Sequence, residues 1–132
     1  MIYVHTSVAL AHLLAEDRQP PEEIWQETLV SSRLLEYELW TPLHRRGLAA
    51  SHGDATRSVI GRIAMLELAP AVLGRALEPF PGPNHVRTPD ALHLASCAYL
   101  VGLGQPVTLA SYDRRLAGVA EAMEIPLFDL TG

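Results

Sequence analysis

Four positions in this sequence carry groups able to hold a cation or move a proton: His5, Glu38, Asp90 and Asp113. Three of them are carboxylates, and gathering carboxylates is unfavourable unless a cation sits among them. Mg²⁺ and Mn²⁺ suit such a set, because both take oxygen ligands, are held by few carboxylates and retain water. Each acid also has a plainer reading. Asp90 follows Thr88-Pro89 and Asp113 follows an apolar run, so both suit a helix first turn, where a negative charge meets the positive end of the dipole. Glu36 and Glu38 read equally well as solvated helix residues. Spacing alone leaves these readings open.

The elements that must position these groups follow from the apolar pattern. Ile2-Tyr3-Val4 is a short β-prone run, and Thr6-Ser7 behind it supply hydroxyls suited to N-cap the apolar stretch Val8 to Leu14. Pro20-Pro21 breaks the chain ahead of Glu22-Glu23, acids suited to another helix start. Thr28 to Ser31 predicts a second strand. Arg33 to Arg46 predicts a helix with Leu35, Leu39 and Leu43 on one face, kinked or cut short by Pro42. Gly47 to Asp54 reads as a loop, Ala55 to Ile63 as a helix and Met65 to Leu68 as a strand.

A helix from Pro70 to Leu77 then runs into a loop, Pro79 to Asn84. Thr88 is placed to cap a helix with Pro89 at its first position, running to about Leu100 before Gly102 and Gly104. Val107 to Ala110 reads as a buried strand, Tyr112 to Ala122 as a helix and Ile125 to Phe128 as a last strand. Strands alternating with helices imply a parallel sheet covered on both faces. Ligands of such sheets gather beyond the carboxyl ends of the strands, where His5 and Asp113 fall.

Size and composition set limits on these readings. The 132 residues make one domain, and 48% hydrophobic residues against 19% charged ones are enough for a core. No apolar run reaches the ~20 residues of a membrane span, and the N-terminus does not read as a signal peptide. One cysteine, Cys97, permits no internal disulfide, so a cytoplasmic protein is expected. The net charge of −5 disfavours coating nucleic acid by bulk attraction. All ten basic residues are arginine, whose planar fork suits phosphate oxygens, although a codon bias explains the excess equally well.

Four local strings are more specific than the spacing. Tyr3-Val4-His5-Thr6-Ser7-Val8-Ala9-Leu10 resembles the opening of PIN domains, in which an Asp normally stands where this chain has His5. Ser31-Ser32-Arg33-Leu34-Leu35-Glu36-Tyr37-Glu38-Leu39 resembles their second block, with Glu38 as its acid. Arg87-Thr88-Pro89-Asp90-Ala91-Leu92-His93-Leu94-Ala95 is similar to the third, with Asp90 as its acid, and Leu109-Ala110-Ser111-Tyr112-Asp113-Arg114-Arg115-Leu116-Ala117 to the fourth. In order and nearly end to end, they identify the chain as similar to the PIN-domain family, above all to VapC-type toxin ribonucleases of bacterial toxin–antitoxin pairs.

The resemblance implies one α/β/α three-layer domain over residues 1–132 with a mainly parallel sheet. It implies a Mg²⁺- or Mn²⁺-dependent RNA endonuclease, in which Glu38, Asp90 and Asp113 hold the metal directly or through water. His5 takes the place of the first acid. Thr6, Ser7 and Ser111 become polar neighbours of metal or phosphate, or simple caps. Arg87 and Arg114 become contacts to the RNA backbone, or solvated charges. The implied partners are RNA, a cognate VapB-like antitoxin and a second copy in a homodimer. An apolar groove for the antitoxin is expected between the helix bearing Leu39, Trp40 and Leu43 and the helix bearing Val59, Ile60 and Ile63.

Two departures bear on that function. His5 adds no negative charge and offers nitrogen, which Mn²⁺ tolerates better than Mg²⁺, and a protonated ring would repel either ion. Thr41-Pro42 stands where VapC-like chains often carry Arg-Ala, removing one phosphate contact. The alternative from another class is therefore a PIN-like binding module that holds antitoxin or RNA without cutting. A receiver-type acidic pocket is disfavoured because the chain has no lysine. Of the other histidines, His93 reads as a packed core residue, while His12, His44, His52 and His85 lack ligand spacing. Cys97 reads as inert core, and Trp25 and Trp40 as packing or interface residues.

Overall fold

The runs Ile2–Val4 and Leu29–Ser32 are buried at every position, as strands must be when helices cover both faces of their sheet. A computed structural model describes residues 1–83 and 85–131. Its element order is β1 (Ile2–Val4), α1 (Thr6–Leu13), a 3-10 turn (Glu22–Gln26), β2 (Leu29–Ser32), α2 (Leu34–Arg45), α3 (Ala49–Gly61), β3 (Ile63–Leu66), α4 (Pro70–Ala76), α5 (Thr88–Gly102), β4 (Thr108–Ala110) and α6 (Arg114–Ala122). The strands form one parallel sheet in the order β3-β2-β1-β4. β1 pairs with β2 on one side, Ile2 opposite Leu29, and with β4 on the other, Ile2 opposite Thr108.

Alternation along each strand feeds two cores. Ile2, Val4, Leu29 and Ala110 pack with Val8, Leu35, Leu39 and Val59 from α1, α2 and α3. Tyr3, Val30 and Leu109 pack with Leu94, Cys97, Leu116 and Ala120 from α5 and α6. The three-layer α/β/α architecture with a parallel sheet is the one expected. Chain direction along the sheet reverses between β1 and β4, the place where doubly wound folds leave a crevice.

Several boundaries differ from the sequence reading. Gly47 to Asp54 is not one loop, because α3 already begins at Ala49. Gly53 and Thr56 are buried there, and packing overrides the roughly 1 kcal/mol that a helical glycine costs. Pro42 does not end α2, which continues to Arg45. Its ring costs about 3 kcal/mol inside a helix. Burial of Leu35, Leu39 and Leu43, worth about 1.5–3 kcal/mol each, outweighs that. β3 lies at Ile63–Leu66 rather than Met65–Leu68, since the Leu66 carbonyl accepts from Arg33 N–H and Glu67 turns out to meet the Arg33 side chain.

The caps differ too. His5 rather than Thr6 or Ser7 caps α1, and Thr88 is itself the first residue of α5, with no side-chain cap before it. Asp113 caps α6, which therefore starts at Arg114 rather than Tyr112. The expected last strand is reduced to one parallel bridge, Leu127 to Leu109. The turn at Gly82 has φ +108°, a conformation that favours glycine, while Asn84 of the same expected loop lies outside the described residues. Of the apolar residues expected to line a groove on α2 and α3, Leu39, Leu43, Val59 and Ile63 are buried in the domain's own interior, and Trp40 and Ile60 are partly exposed. No described helix is long and apolar enough to cross a membrane.

Candidate metal centre

β1 ends at Val4 and β4 at Ala110, and the residues just beyond them meet at the sheet's carboxyl edge. There His5, Asp90 and Asp113 bring one potential ligand atom each to within 4.8 Å of one another. His5 comes from the end of β1, Asp113 from the turn after β4, and Asp90 from the first turn of α5. Two bonds of about 2.1 Å to one ion span about 4.2 Å, so a small closure would let these atoms share a cation. Burial, and then the charge of Asp113, hold the Asp90 carboxyl above its ordinary range. That repulsion is what a divalent cation between the two acids would relieve.

Asp113 has a second task. Its Oδ1 accepts from the backbone N–H groups of Arg115 and Leu116 at 3.0 and 3.1 Å, which fixes the carboxylate as the N-cap of α6. The ligand and helix-cap readings of Asp113 therefore coexist. Beside the two acids a cleft is lined by Arg87, Asp90, Leu94, Asp113, Arg115 and Leu116. Arg87 and Arg114 are exposed, and neither forms an ion pair with another described residue.

His5 is buried and its Nδ1 is fully engaged. It lies 2.8 Å from Ser7 Oγ and 3.0 Å from Ser111 Oγ, and it accepts the Ser7 backbone N–H at 3.3 Å. An Nδ1 that accepts is unprotonated, so the neutral ring carries its hydrogen on Nε2. Burial, and then the neighbouring His93, push the His5 pKa down to about 4, against the opposing pull of Glu38 and Asp113. The ring is thus uncharged at neutral pH. To ligate through Nδ1 it must give up the α1 cap, and to ligate through Nε2 it must move its proton onto a nitrogen that faces an N–H. As an ion ligand it is poor in this arrangement.

Glu38 stands apart from that trio. Its Oε1 accepts from Thr6 Oγ1 at 2.8 Å and from His93 Nε2 at 2.5 Å. Its Oε2 makes no hydrogen bond with a described residue, and its side chain is 26% exposed. Burial pushes the Glu38 carboxyl up, but the hydrogen bond and charge of His93, with help from Thr6 and His5, outweigh it, so the group lies below its ordinary range. Glu38 is a carboxylate with one oxygen held by two donors and the other without a described hydrogen-bond partner.

Thr6, Ser7 and Ser111 all belong to this site, but as its internal braces. Thr6 holds Glu38, Ser7 Oγ accepts from Tyr112 N–H at 2.9 Å, and Ser111 Oγ accepts from Asp113 N–H at 2.9 Å. Glu36, two residues before Glu38, points elsewhere and pairs with Arg33. The residue missed by sequence reasoning is His93. It is buried as expected, yet it bonds Glu38 through Nε2 and Tyr3 Oη through Nδ1 at 2.8 Å, and its ring meets that of His5 edge-on at 5.0 Å. The available signal was its place one turn after Asp90 on an otherwise apolar helix face, a polar group that burial obliges to find partners.

The PIN domain family matches residues 2–122 of the chain. The chain is also 30% identical to Ribonuclease VapC35 of Mycobacterium tuberculosis, strains CDC 1551 and H37Rv alike, over 95% of its own length and 93% of theirs. With both the parallel sheet and the carboxyl-edge cluster in place, this chain belongs to the PIN domain family and is of the VapC type.

Proposed function

We propose that this protein is the toxin of a type II toxin–antitoxin pair, a metal-dependent endoribonuclease that cleaves RNA phosphodiesters and is weakened by His5. The convergence of Asp90 and Asp113 with His5 at the carboxyl edge of the sheet carries this reading. The two carboxylates fit a divalent cation, while the committed His5 nitrogen weakens the set, for Mg²⁺ more than for Mn²⁺. When bound, the cation supplies Lewis acidity and charge neutralisation at the scissile phosphate. Asp90 and Asp113 hold it, and Asp113 is kept in place by its two backbone donors. Glu38 Oε2 accepts a proton from water. Arg87 and Arg114, exposed beside the cleft, take phosphate oxygens of the RNA strand. A VapB-like antitoxin and a second copy of the chain are the proposed protein partners.

The test is cleavage of labelled RNA by this chain and by His5→Asp, each with Mn²⁺, Mg²⁺ and chelator. Chelator-sensitive cutting that rises in His5→Asp supports the reading, and no cutting in either protein with any ion sinks it. One observation favours a second reading, a PIN-like module that binds antitoxin or RNA without cleavage. The His5 Nδ1 is already committed to Ser7 and Ser111. Under that reading RNA binding persists in this chain while cutting stays at background.

A further inference from the structure

Among the buried polar groups, one line of hydrogen-bonded side chains runs from Tyr3 through His93 to Glu38. His93 is 1% exposed and uses both ring nitrogens. Tyr3 Oη lies 2.8 Å from His93 Nδ1, and burial holds the Tyr3 hydroxyl well above its ordinary range. Against the Glu38 carboxylate, His93 Nε2 can only donate, to Oε1. Thr6 donates to the same oxygen. Glu38 therefore has one oxygen anchored from two sides, while Oε2 makes no hydrogen bond with a described residue. Asp90 lies one helical turn ahead of His93 on α5, so the same helix places an acid of the trio and the anchor of the acid outside it.

We propose that His93 is the positioning residue of this centre: held between Tyr3 and Glu38, it orients the Glu38 carboxylate so that a single oxygen addresses the cation and its water. The proposal rests on the metal-dependent reading above but assigns a role which that reading does not require. A buried imidazole between a phenol and a carboxylate is costly to bury for packing alone, since each polar atom must find a partner. Here the partners form a line from Tyr3 through His93 that ends at Glu38. Outer partners of this kind typically cost about 10–100-fold in metal affinity when removed.

Mn²⁺ titration by calorimetry, on this chain and on His5→Asp, tests the role with His93→Leu, His93→Gln and Tyr3→Phe, each checked for folding by its thermal melt. His93→Leu is expected to lose about 10–100-fold in Mn²⁺ affinity. His93→Gln, which keeps an N–H for Glu38, is expected to recover most of that loss, and Tyr3→Phe to fall between. Affinity that ignores all three variants, or that falls equally in His93→Leu and His93→Gln, overturns the role while leaving the nuclease reading intact. Nitrogen-15 resonances of the His93 ring supply a readout free of metal: protonation at Nε2 is expected, and a proton on Nδ1 alone overturns the proposal. Failure of both backgrounds to bind Mn²⁺ overturns the nuclease reading and this role together.

Discussion

On the β1–β4 wall of the candidate centre, the His5 ring takes three contacts on a single nitrogen, from Ser7 N–H and from the hydroxyls of Ser7 and Ser111. On the α2–α5 wall, the His93 ring uses both nitrogens, one on Tyr3 and one on Glu38. The two rings meet edge-on. One residue type thus does two unlike things within one site. His93 meets a carboxylate and is bound to it, whereas His5 is hydrogen-bonded by neutral groups alone. Both rings are buried, and their partners rather than their burial set them apart.

The sharpest way to break this comparison is to restore charge on the β1 wall. His5→Asp is expected to raise RNA cleavage by about 10²–10³, the usual worth of one electrostatic element at a reacting centre. Adding Asp90→Ala is expected to abolish it, as read by cleavage of a labelled RNA. A flat response to both changes would make the two walls equally structural.

A second measurement sharpens it through pH. His5 binds its proton near pH 4 when folded and near 6.5 when unfolded, so the unfolded state takes up more protons between those values. The stability from a neutral, buried His5 is therefore fully present above about pH 6.5, is lost as the pH falls towards about 4, and levels off there. The loss amounts to roughly 3 kcal/mol. Urea unfolding at pH 7 and pH 4.5, with chelator present, should show that extra loss in this chain and not in His5→Gln.

Smaller effects separate charge from scaffold. Asp113→Ala should cost about 0.5–2 kcal/mol by removing the α6 cap, whereas Asp113→Asn should keep most of that stability. Both should weaken Mn²⁺ binding, so stability by denaturation and affinity by calorimetry part company at this residue. Smallest of all is Glu36→Gln. Its partner Arg33 sits at the surface, and such pairs are worth about 0–1 kcal/mol. Mn²⁺ affinity should not change, in contrast to Glu38→Gln, and an equal fall in both would erase the distinction drawn between these two acids.

Much of this was legible in the sequence where local pattern and tertiary packing agree. The strands at Ile2–Val4 and near Val107–Ala110, the helix from Thr88 and the acids Asp90 and Asp113 sit as their strings implied. Glu38 was found as an acid, but its separation from the trio was not, because that depends on Thr6 and His93 reaching it from other elements. The start of α3 was misread because Gly53 and the polar residues around it look like a loop until burial of Gly53 and Thr56 is known. The burial of Leu39, Leu43, Val59 and Ile63 in the domain itself was missed for a related reason. Apolar residues at helical spacing identify a buried face, and whether it is buried against a partner or against the same chain is decided by the fold.

The pairing of β1 with both β2 and β4 also has a bearing on how the protein comes into being. β1 precedes the other strands, yet its second neighbour is β4, and His5 and Ser111 are separated by 106 residues. Contacts that distant carry a loop-closure cost before they return any stability, and they form late. While the ribosome still holds the segment after α5, a nascent chain has β1, β2 and β3 in hand but neither Ser111 nor Asp113. The centre thus stays unassembled until β4 and the turn that follows it have been added, so anything that depends on Asp113 beside His5 and Asp90 must wait for them.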